Sequence, residues 1–289
     1  MNNIERLPID SDLLHTFVTI ARYGNLTAAA GRLHRTQSAI SVQLRKLESG
    51  LATSLFARTP RGMTLTPAGE KLLPRAQAIL TGIREAAELF DEPLTGSIRV
   101  GLPDDFDETL LEQILGAFSR AHPGVHVEAR SGCTSTYPEK IDSGLLDLAV
   151  CSSPDNRLGK ALGTEATVWA AKTGAVCRED DVAPLAILDR NCWWRNLPTD
   201  ALDAAGRGYT IAFRSSSFAS LQAAIRAGFA IGVLPEYCLG SGLTALSKND
   251  GFPELPSARR SIAVSKDAPA DLASAMAMAI SEAWSNRVC

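Results

Sequence analysis

Apolar residues recur at helical spacing through the first ninety positions, and the breaks between them mark four helices and a hairpin. Ile9, Leu13, Leu14, Phe17, Val18 and Ala21 line one side of a helix from Asp10 to Arg22, and Gly24-Asn25 makes a left-handed turn that ends it. Thr27 can cap a short second helix that buries Ala28, Ala29 and Leu33. His34-Arg35 turns the chain, and Thr36 can cap a third helix in which Ile40, Leu44 and Leu47 stand at i, i+4 and i+7. Leu55 to Leu65 predicts a two-stranded wing with Arg58-Thr59-Pro60-Arg61-Gly62 at its tip. Thr66-Pro67 is a cap followed by proline at the first helical position, and a long helix runs from there to about Phe90. Pro74, inside that helix, is expected to kink or loosen it.

The long helix carries a second pattern. Leu72, Ala76, Ile79, Ile83, Ala86 and Phe90 form a heptad seam. A helix that only joins two domains does not need such a stripe, so the seam is expected to pair two chains. The plainer alternative is packing on the chain's own domains.

Beyond a hinge-like Asp91-Glu92-Pro93-Leu94-Thr95-Gly96, short β-type runs alternate with helical ones. Strands are expected at Ser97 to Gly101, Val125 to Arg130 and Leu146 to Cys151, with helices at Glu108 to Ala121 and Tyr137 to Ser143. The pattern restarts with a strand at Pro184 to Asp189, a helix containing Trp193 and Trp194, a strand at Tyr209 to Phe213, a helix from about Ser217 to Ala227 and a strand at Ala230 to Leu234. A strand at Ser261 to Ser265 returns toward the first group, and Leu272 to Trp284 is a final helix. This rhythm predicts two α/β lobes with mostly parallel sheets, joined by two crossings like a clamshell.

The third helix gives the pattern a function. Opposite its apolar face stand Gln37, Ser38, Ser41, Val42 and Arg45: short polar groups, one methyl-bearing side chain and one cation, as a helix in a DNA major groove requires. These helices, the L-E-x-x-L-x-x-x-L-F-x-R run (Leu47, Glu48, Leu51, Leu55, Phe56, Arg58) and the T-L-T-x-A-G run (Thr64 to Gly69) resemble the LysR-type transcriptional regulators. The resemblance covers essentially the whole chain, with Ala52 standing where the family usually has glycine.

The resemblance implies an N-terminal all-α winged helix-turn-helix (residues 1–66), a linker helix and hinge for dimerisation (67–96), and a C-terminal α/β two-lobed effector domain like the periplasmic solute-binding proteins (97–289). Lobe I is expected at about 97–165 and 265–289, and lobe II at about 166–264. Thr36, Gln37, Ser38, Ser41, Val42, Arg45, Arg58 and Arg61 are the candidate DNA-binding residues. Double-stranded DNA, a small-molecule effector and a second copy of the chain, in a dimer or a tetramer of two dimers, are the implied partners. RNA polymerase is a further candidate.

Charge sharpens this division. Residues 1–75 hold ten Lys/Arg against five Asp/Glu, a net of +5, and the remainder nineteen against twenty-seven, a net of −8. The overall charge of −3 hides a basic module suited to phosphate. The first residues lack an apolar signal segment, so a cytoplasmic protein without membrane attachment is expected. No P-loop, G-x-S-x-G, H-E-x-x-H or dinucleotide fingerprint occurs, and neither catalysis nor a cofactor is expected. His122 and His126 have a zinc-like spacing, but Pro123-Gly124 between them favours an ordinary loop-to-strand segment, and no metal is expected. The six cysteines are scattered and are expected to be reduced.

Ligands of α/β sheets sit beyond the carboxyl ends of strands. Three loops qualify here: Leu102 to Phe106, Ser131 to Ser135 and Arg214 to Ser217. They nominate Asp104, Asp105, Cys133, Thr134, Ser135, Arg214, Ser216 and Ser217 as effector-binding residues. Hydroxyls at helix N-termini favour an anion while the two carboxylates favour an amine, so the effector should carry both charges or neither. The serines could instead be helix caps only. Two other readings stay open: a redox sensor on this scaffold with Cys192 as its thiol, and a solute-binding or enzymatic protein with a vestigial DNA module.

Overall fold

Side-chain caps place the first helices. In the computed structural model, which describes residues 9–59, 62–88, 93–154, 159–175 and 182–286, the Asp10 carboxylate accepts from the Leu13 N–H and starts α1 (Ser11–Tyr23). Gly24 ends it in the left-handed region, at φ 66°. The cap of α2 (Leu26–Arg32) is Asn25 rather than the expected Thr27, its amide oxygen accepting from Ala28 N at 2.7 Å. Asparagine leads threonine as a cap, and here the helix begins two residues earlier than the pattern suggested. Thr36 caps α3 (Gln37–Leu51) as expected. Ile40, Leu44 and Leu47 are buried with Leu13, Phe17 and Ile20, and the Phe17 ring meets that of Phe56 at 5.5 Å.

The two sequence runs have identifiable jobs. The Glu48 carboxylate accepts from the backbone N–H groups of Leu55 and Phe56, at 2.8 and 3.4 Å, and so fixes the entry to β1 (Phe56–Thr59). That strand pairs antiparallel with β2 (Gly62–Leu65) to form the wing. The Thr66 hydroxyl donates to Ser54 O at 2.7 Å and accepts from Gly69 N at 3.1 Å, clamping the start of α4 (Pro67–Glu88) to the turn that follows α3. Gly69 lies so close to the Leu55 carbonyl that any Cβ would overlap it. Ala52, in glycine's usual place, adopts φ 50° and ψ 33°, so the left-handed turn is kept with a side chain that disfavours it.

Helix α4 runs unbroken through Pro74. Its seam is not uniform. Ala76 is fully buried in the helical core, and Leu72, Leu73 and Leu80 pack against that core. The N-terminal part of the expected seam is therefore engaged within its own chain, as the plainer alternative had it. Ile79 (48% exposed), Ile83 (49%) and Ala86 face water, and Phe90 lies outside the described residues.

The chain divides into two compact units, residues 1–92 and 93–289. The second opens with β3 (Gly96–Pro103), α5 (Glu108–Ala121), β4 (Val125–Gly132), α6 (Tyr137–Asp142), β5 (Leu148–Ser153) and β6 (Lys160–Glu165). It continues with β7 (Thr167–Lys172), β8 (Ala183–Leu188), α7 (Leu197–Ala205), β9 (Tyr209–Ser215), α8 (Phe218–Arg226), β10 (Gly232–Pro235) and β11 (Leu243–Leu246). It closes with β12 (Ala258–Val264) and α9 (Ala270–Asn286).

Lobe I is the sheet β4-β3-β5-β12-β6, in which β3 is parallel to β4 and β5, and β12 runs antiparallel to β5 and β6. Lobe II has the corresponding order β9-β8-β10-β7-β11, its two parts joined through the Leu185–Ile231 bridge. Each lobe thus borrows its antiparallel strand from the crossing: β7 enters lobe II directly after β6, and β12 returns to lobe I. The expected sheets were more uniformly parallel, and β6, β7 and β11 were not anticipated. The return begins at Ala258, inside the stretch that had been given to lobe II. Helices α5 and α9 cover one face of lobe I through Leu110, Ile114, Phe118, Met276 and Ile280, and lobe II encloses Trp169, Leu185, Phe218, Ile225 and Phe252.

Candidate functional site

Two surfaces meet the chemistry expected from the sequence, one in each unit. On α3 the buried face anchors the helix and the other is presented to solvent. Gln37, Ser38, Val42 and Arg45 are exposed, Val42 by 55%, and Ser41 is half-buried. Their own bonds are few and local. Thr36 and Ser38 share a hydroxyl contact at 3.0 Å, Thr27 donates to Gln37 Oε1 at 3.4 Å, and Arg45 Nε donates to Ser41 O at 3.3 Å. A buried bond from the Thr16 hydroxyl to Gln43 Oε1, at 2.8 Å, holds α1 against the back of α3. Arg58 is exposed on β1, opposite Met63. Arg61 lies outside the described residues.

The second surface is the mouth between the lobes. Asp104, in the loop after β3, pairs in two-pronged fashion with Arg190, in the loop after β8, at 2.5 and 2.9 Å. Arg190 Nη1 also donates to Ser216 O at 3.2 Å. The Ser135 hydroxyl donates to Asn191 O at 2.5 Å, and Trp193 Nε1 to Ser152 Oγ at 3.4 Å. Asp105 pairs with Arg260 of β12, whose side chain is fully buried beside the rings of Phe106 and Trp284. The Asp105 carbonyl accepts from Tyr237 Oη of lobe II at 2.9 Å. The cavity left between these groups measures about 20 Å³, the room of roughly one water. Cys133 and Cys192 both line it. The Cys192 thiol beside Cys133 is the main cause that holds the Cys133 thiol down to about 5; the Ser135 hydroxyl and the Arg190 charge add to it against the opposing effect of burial. The same proximity, together with burial, pushes Cys192 up.

The loops therefore gather Asp104, Asp105, Cys133 and Thr134 around one cavity, with Ser135 and Ser216 at its edge. They do not gather the rest. Strand β9 extends to Ser215, so Arg214 stands exposed on a strand rather than in a loop and does not line the cavity. Ser217 is the cap of α8, accepting from Ser220 N at 3.3 Å, which is the helix-cap role. Sequence reasoning missed Arg190, Ser152, Trp193, Trp194 and Arg260. The helix drawn through Trp193 and Trp194 hid the first loop. Pro198 suits the first turn of a helix, where its missing N–H costs no hydrogen bond, and α7 begins only at Leu197. The strand-end rule, applied after β8 as it was after β3, would have found Arg190. Both acidic residues are already matched by arginines, which offsets the pull toward an amine that the two carboxylates were expected to contribute.

Among the described residues no group of three or more His, Cys, Asp and Glu is placed to hold a metal, and no helix is long and apolar enough to cross a membrane.

Comparison with known proteins covers both units of the chain. Residues 11–70 match the bacterial regulatory helix-turn-helix protein, lysR family, and residues 91–284 match the LysR substrate binding domain. The HTH-type transcriptional regulator DgdR of Burkholderia cepacia is 38% identical over 271 residues, 93% of this chain and 92% of that protein. The HTH-type transcriptional regulator PecT of Dickeya dadantii is 31% identical over 284 residues, 97% of this chain and 90% of that protein. Full-length BenM has the same fold, with a TM-score of 0.52 at 17% identity, covering 95% of this chain and 96% of that one. The chain belongs to the LysR family of transcriptional regulators, DNA-binding proteins with an effector-binding domain.

Proposed function

We propose that α3 reads A·T-containing half-sites through Gln37, Ser38, Ser41 and Val42, and that a small effector biases this binding by entering the mouth between the lobes. Glutamine offers paired hydrogen bonds to adenine, and Val42 a contact for the thymine methyl. Arg45, Arg58 and Arg61 would contact phosphate or the minor groove. The observation that carries the effector reading is the two-pronged Arg190–Asp104 pair across the mouth. A ligand that separates the pair must satisfy both charges, and one that leaves it intact must bind beside it with neither. Either way it favours one lobe arrangement over another, which is the condition for control.

The exposed part of α4, Ile79, Ile83 and Ala86, supports self-association, and two-fold DNA sites ask for the same. Placing Asp at Ile79 and Ile83 should lower the sedimenting mass; an unchanged mass and DNA affinity would exclude this face as the interface. We take the chain to act in the cytoplasm by binding alone, without a catalytic step, and to reach RNA polymerase only from its DNA site.

The effector assignment is tested with DNA selected by the protein from a random pool, titrated in the presence of a panel of amino acids, carboxylic acids, amines and neutral polyols. A compound that changes binding by the wild type should have no effect on Thr134→Leu, whose side chain fills the cavity, while that variant keeps its affinity for DNA. An undiminished response in Thr134→Leu would place the effector elsewhere.

A further inference from the structure

Four free cysteines lie among the described residues, and two of them line one cavity. Cys133 follows β4 in lobe I, and Cys192 lies in the turn after β8 in lobe II. Both are half-buried, which leaves them open to small solutes, whereas Cys151 and Cys238 are buried in the lobes. The cavity they line measures about 20 Å³, and the Cys192 thiol stands next to that of Cys133. Around Cys133 the contacts suit a sulfur anion: the Ser135 hydroxyl at 3.1 Å, the neighbouring Cys192 thiol and the Arg190 guanidinium. The sequence offered Cys192 as a lone thiol because the stretch after it holds no partner; the fold supplies one from the other lobe.

We propose that Cys133 and Cys192 form a disulfide in response to peroxide, tying lobe I to lobe II across the effector mouth. Cys133 attacks as the thiolate, the form that is nucleophilic. A sulfur–oxygen bond forms, the peroxide oxygen–oxygen bond breaks, and hydroxide leaves. Cys192 then gives up its proton and attacks the resulting sulfenic acid: the sulfur–sulfur bond forms, the sulfur–oxygen bond breaks, and a second hydroxide leaves. The protons of the two thiols convert both hydroxides to water. Two thiols are oxidised by two electrons, and one hydrogen peroxide is reduced to two waters. The bond would fix the arrangement in which Arg190 meets Asp104, giving the regulator an input separate from the effector. Cys151, pushed up to about 11 by burial, stays a thiol and is inert under the same treatment.

The test uses the full-length reduced protein, exposed to hydrogen peroxide, alkylated and mapped by mass spectrometry without reduction. The expected product is a cross-linked pair of peptides containing Cys133 and Cys192, lighter than the reduced peptides by two hydrogens and separated by dithiothreitol. The urea midpoint of tryptophan fluorescence should rise on cross-linking. Cys192→Ser should instead carry Cys133 onward to sulfinic acid. Recovery of Cys192 as a free alkylated thiol after Cys133 has been oxidised in the wild type would overturn the pairing. A cross-linked protein with an unchanged midpoint would overturn the claim that the bond ties the lobes.

Discussion

Gln37, Ser38, Val42 and Arg45 stand on α3 with their outer atoms in water, whereas Asp104, Arg190, Asp105 and Arg260 at the lobe mouth are matched to one another. The first surface suits the proposed reading role by its exposure. Its backbone is fixed by buried neighbours and caps, so the outer side chains keep bonding capacity for a partner. The second is a latch. Its charges are paired with one another, although Arg190 Nε and Arg260 Nε are buried without a hydrogen-bond partner among the described residues, and anything that enters must replace bonds already made. The difference teaches where control can reside: a surface with free groups selects its partner by affinity, while a matched one can switch between arrangements.

The comparison breaks most readily at Arg260. Replacing this fully buried arginine by Met leaves the Asp105 carboxylate without its cation, and stability should fall by about 3–5 kcal/mol. All four tryptophans, Trp169, Trp193, Trp194 and Trp284, lie in residues 93–289, so urea titration of their fluorescence reads that unit alone. A loss below about 1 kcal/mol would show that the pair is dispensable.

Asp147→Asn should act less. The carboxylate accepts from Arg99 N at 2.7 Å and Nε at 3.1 Å, and it meets Nη2 at 2.6 Å. Arg99 keeps 41% of its side chain in water, which reduces the expected loss at neutral pH to about 2 kcal/mol. The Arg99 hydrogen bonds are the main cause that holds the Asp147 carboxyl below its usual range, so its contribution is complete above about pH 4 and disappears as the pH falls through the lowered value. Wild type and variant should therefore differ in stability at pH 7 and converge in strong acid.

The smallest effect concerns the reader's scaffold. Ala52→Gly removes the Cβ from a left-handed turn at φ 50° and should stabilise the end of α3 by up to about 1 kcal/mol. Slower amide exchange along α3 would report it, and faster exchange would contradict it.

The same comparison explains what was legible in the sequence. The reader's pattern is local: Ile40, Leu44 and Leu47 announce the helix, and their spacing fixes which residues face outward. Glu48, Thr66 and Gly69 act on backbone groups within the one stretch from residue 48 to residue 69, and the two short runs record that. The latch is assembled from residues distant in sequence. Arg190 meets Asp104 and Cys133 meets Cys192 only after two sheets have formed, and Arg260 meets Asp105 only once β12 has returned to the sheet of lobe I. The strand-end rule pointed to Asp104, Asp105 and Cys133, and applied after β8 it would also have reached Arg190 and Cys192; nothing local pointed to Arg260, which lies within β12. Strands β6 and β7 escaped for a related reason: they flank the crossing, and their pairing is set by β12 and β10 rather than by an alternation of their own. In α4 the heptad could not tell which apolar residues the chain itself would use.

The claim that α3 reads bases with its free face is tested most directly at Gln37. Binding of wild type and Gln37→Ala should be compared on DNA selected by the protein and on scrambled DNA of equal length and composition, at one salt concentration. Affinity for the selected site should fall by about 1–3 kcal/mol, while affinity for scrambled DNA should remain within about twofold. Equal losses on the two DNAs would contradict the account, because Gln37 would then contribute to placement on the backbone or to folding and not to reading.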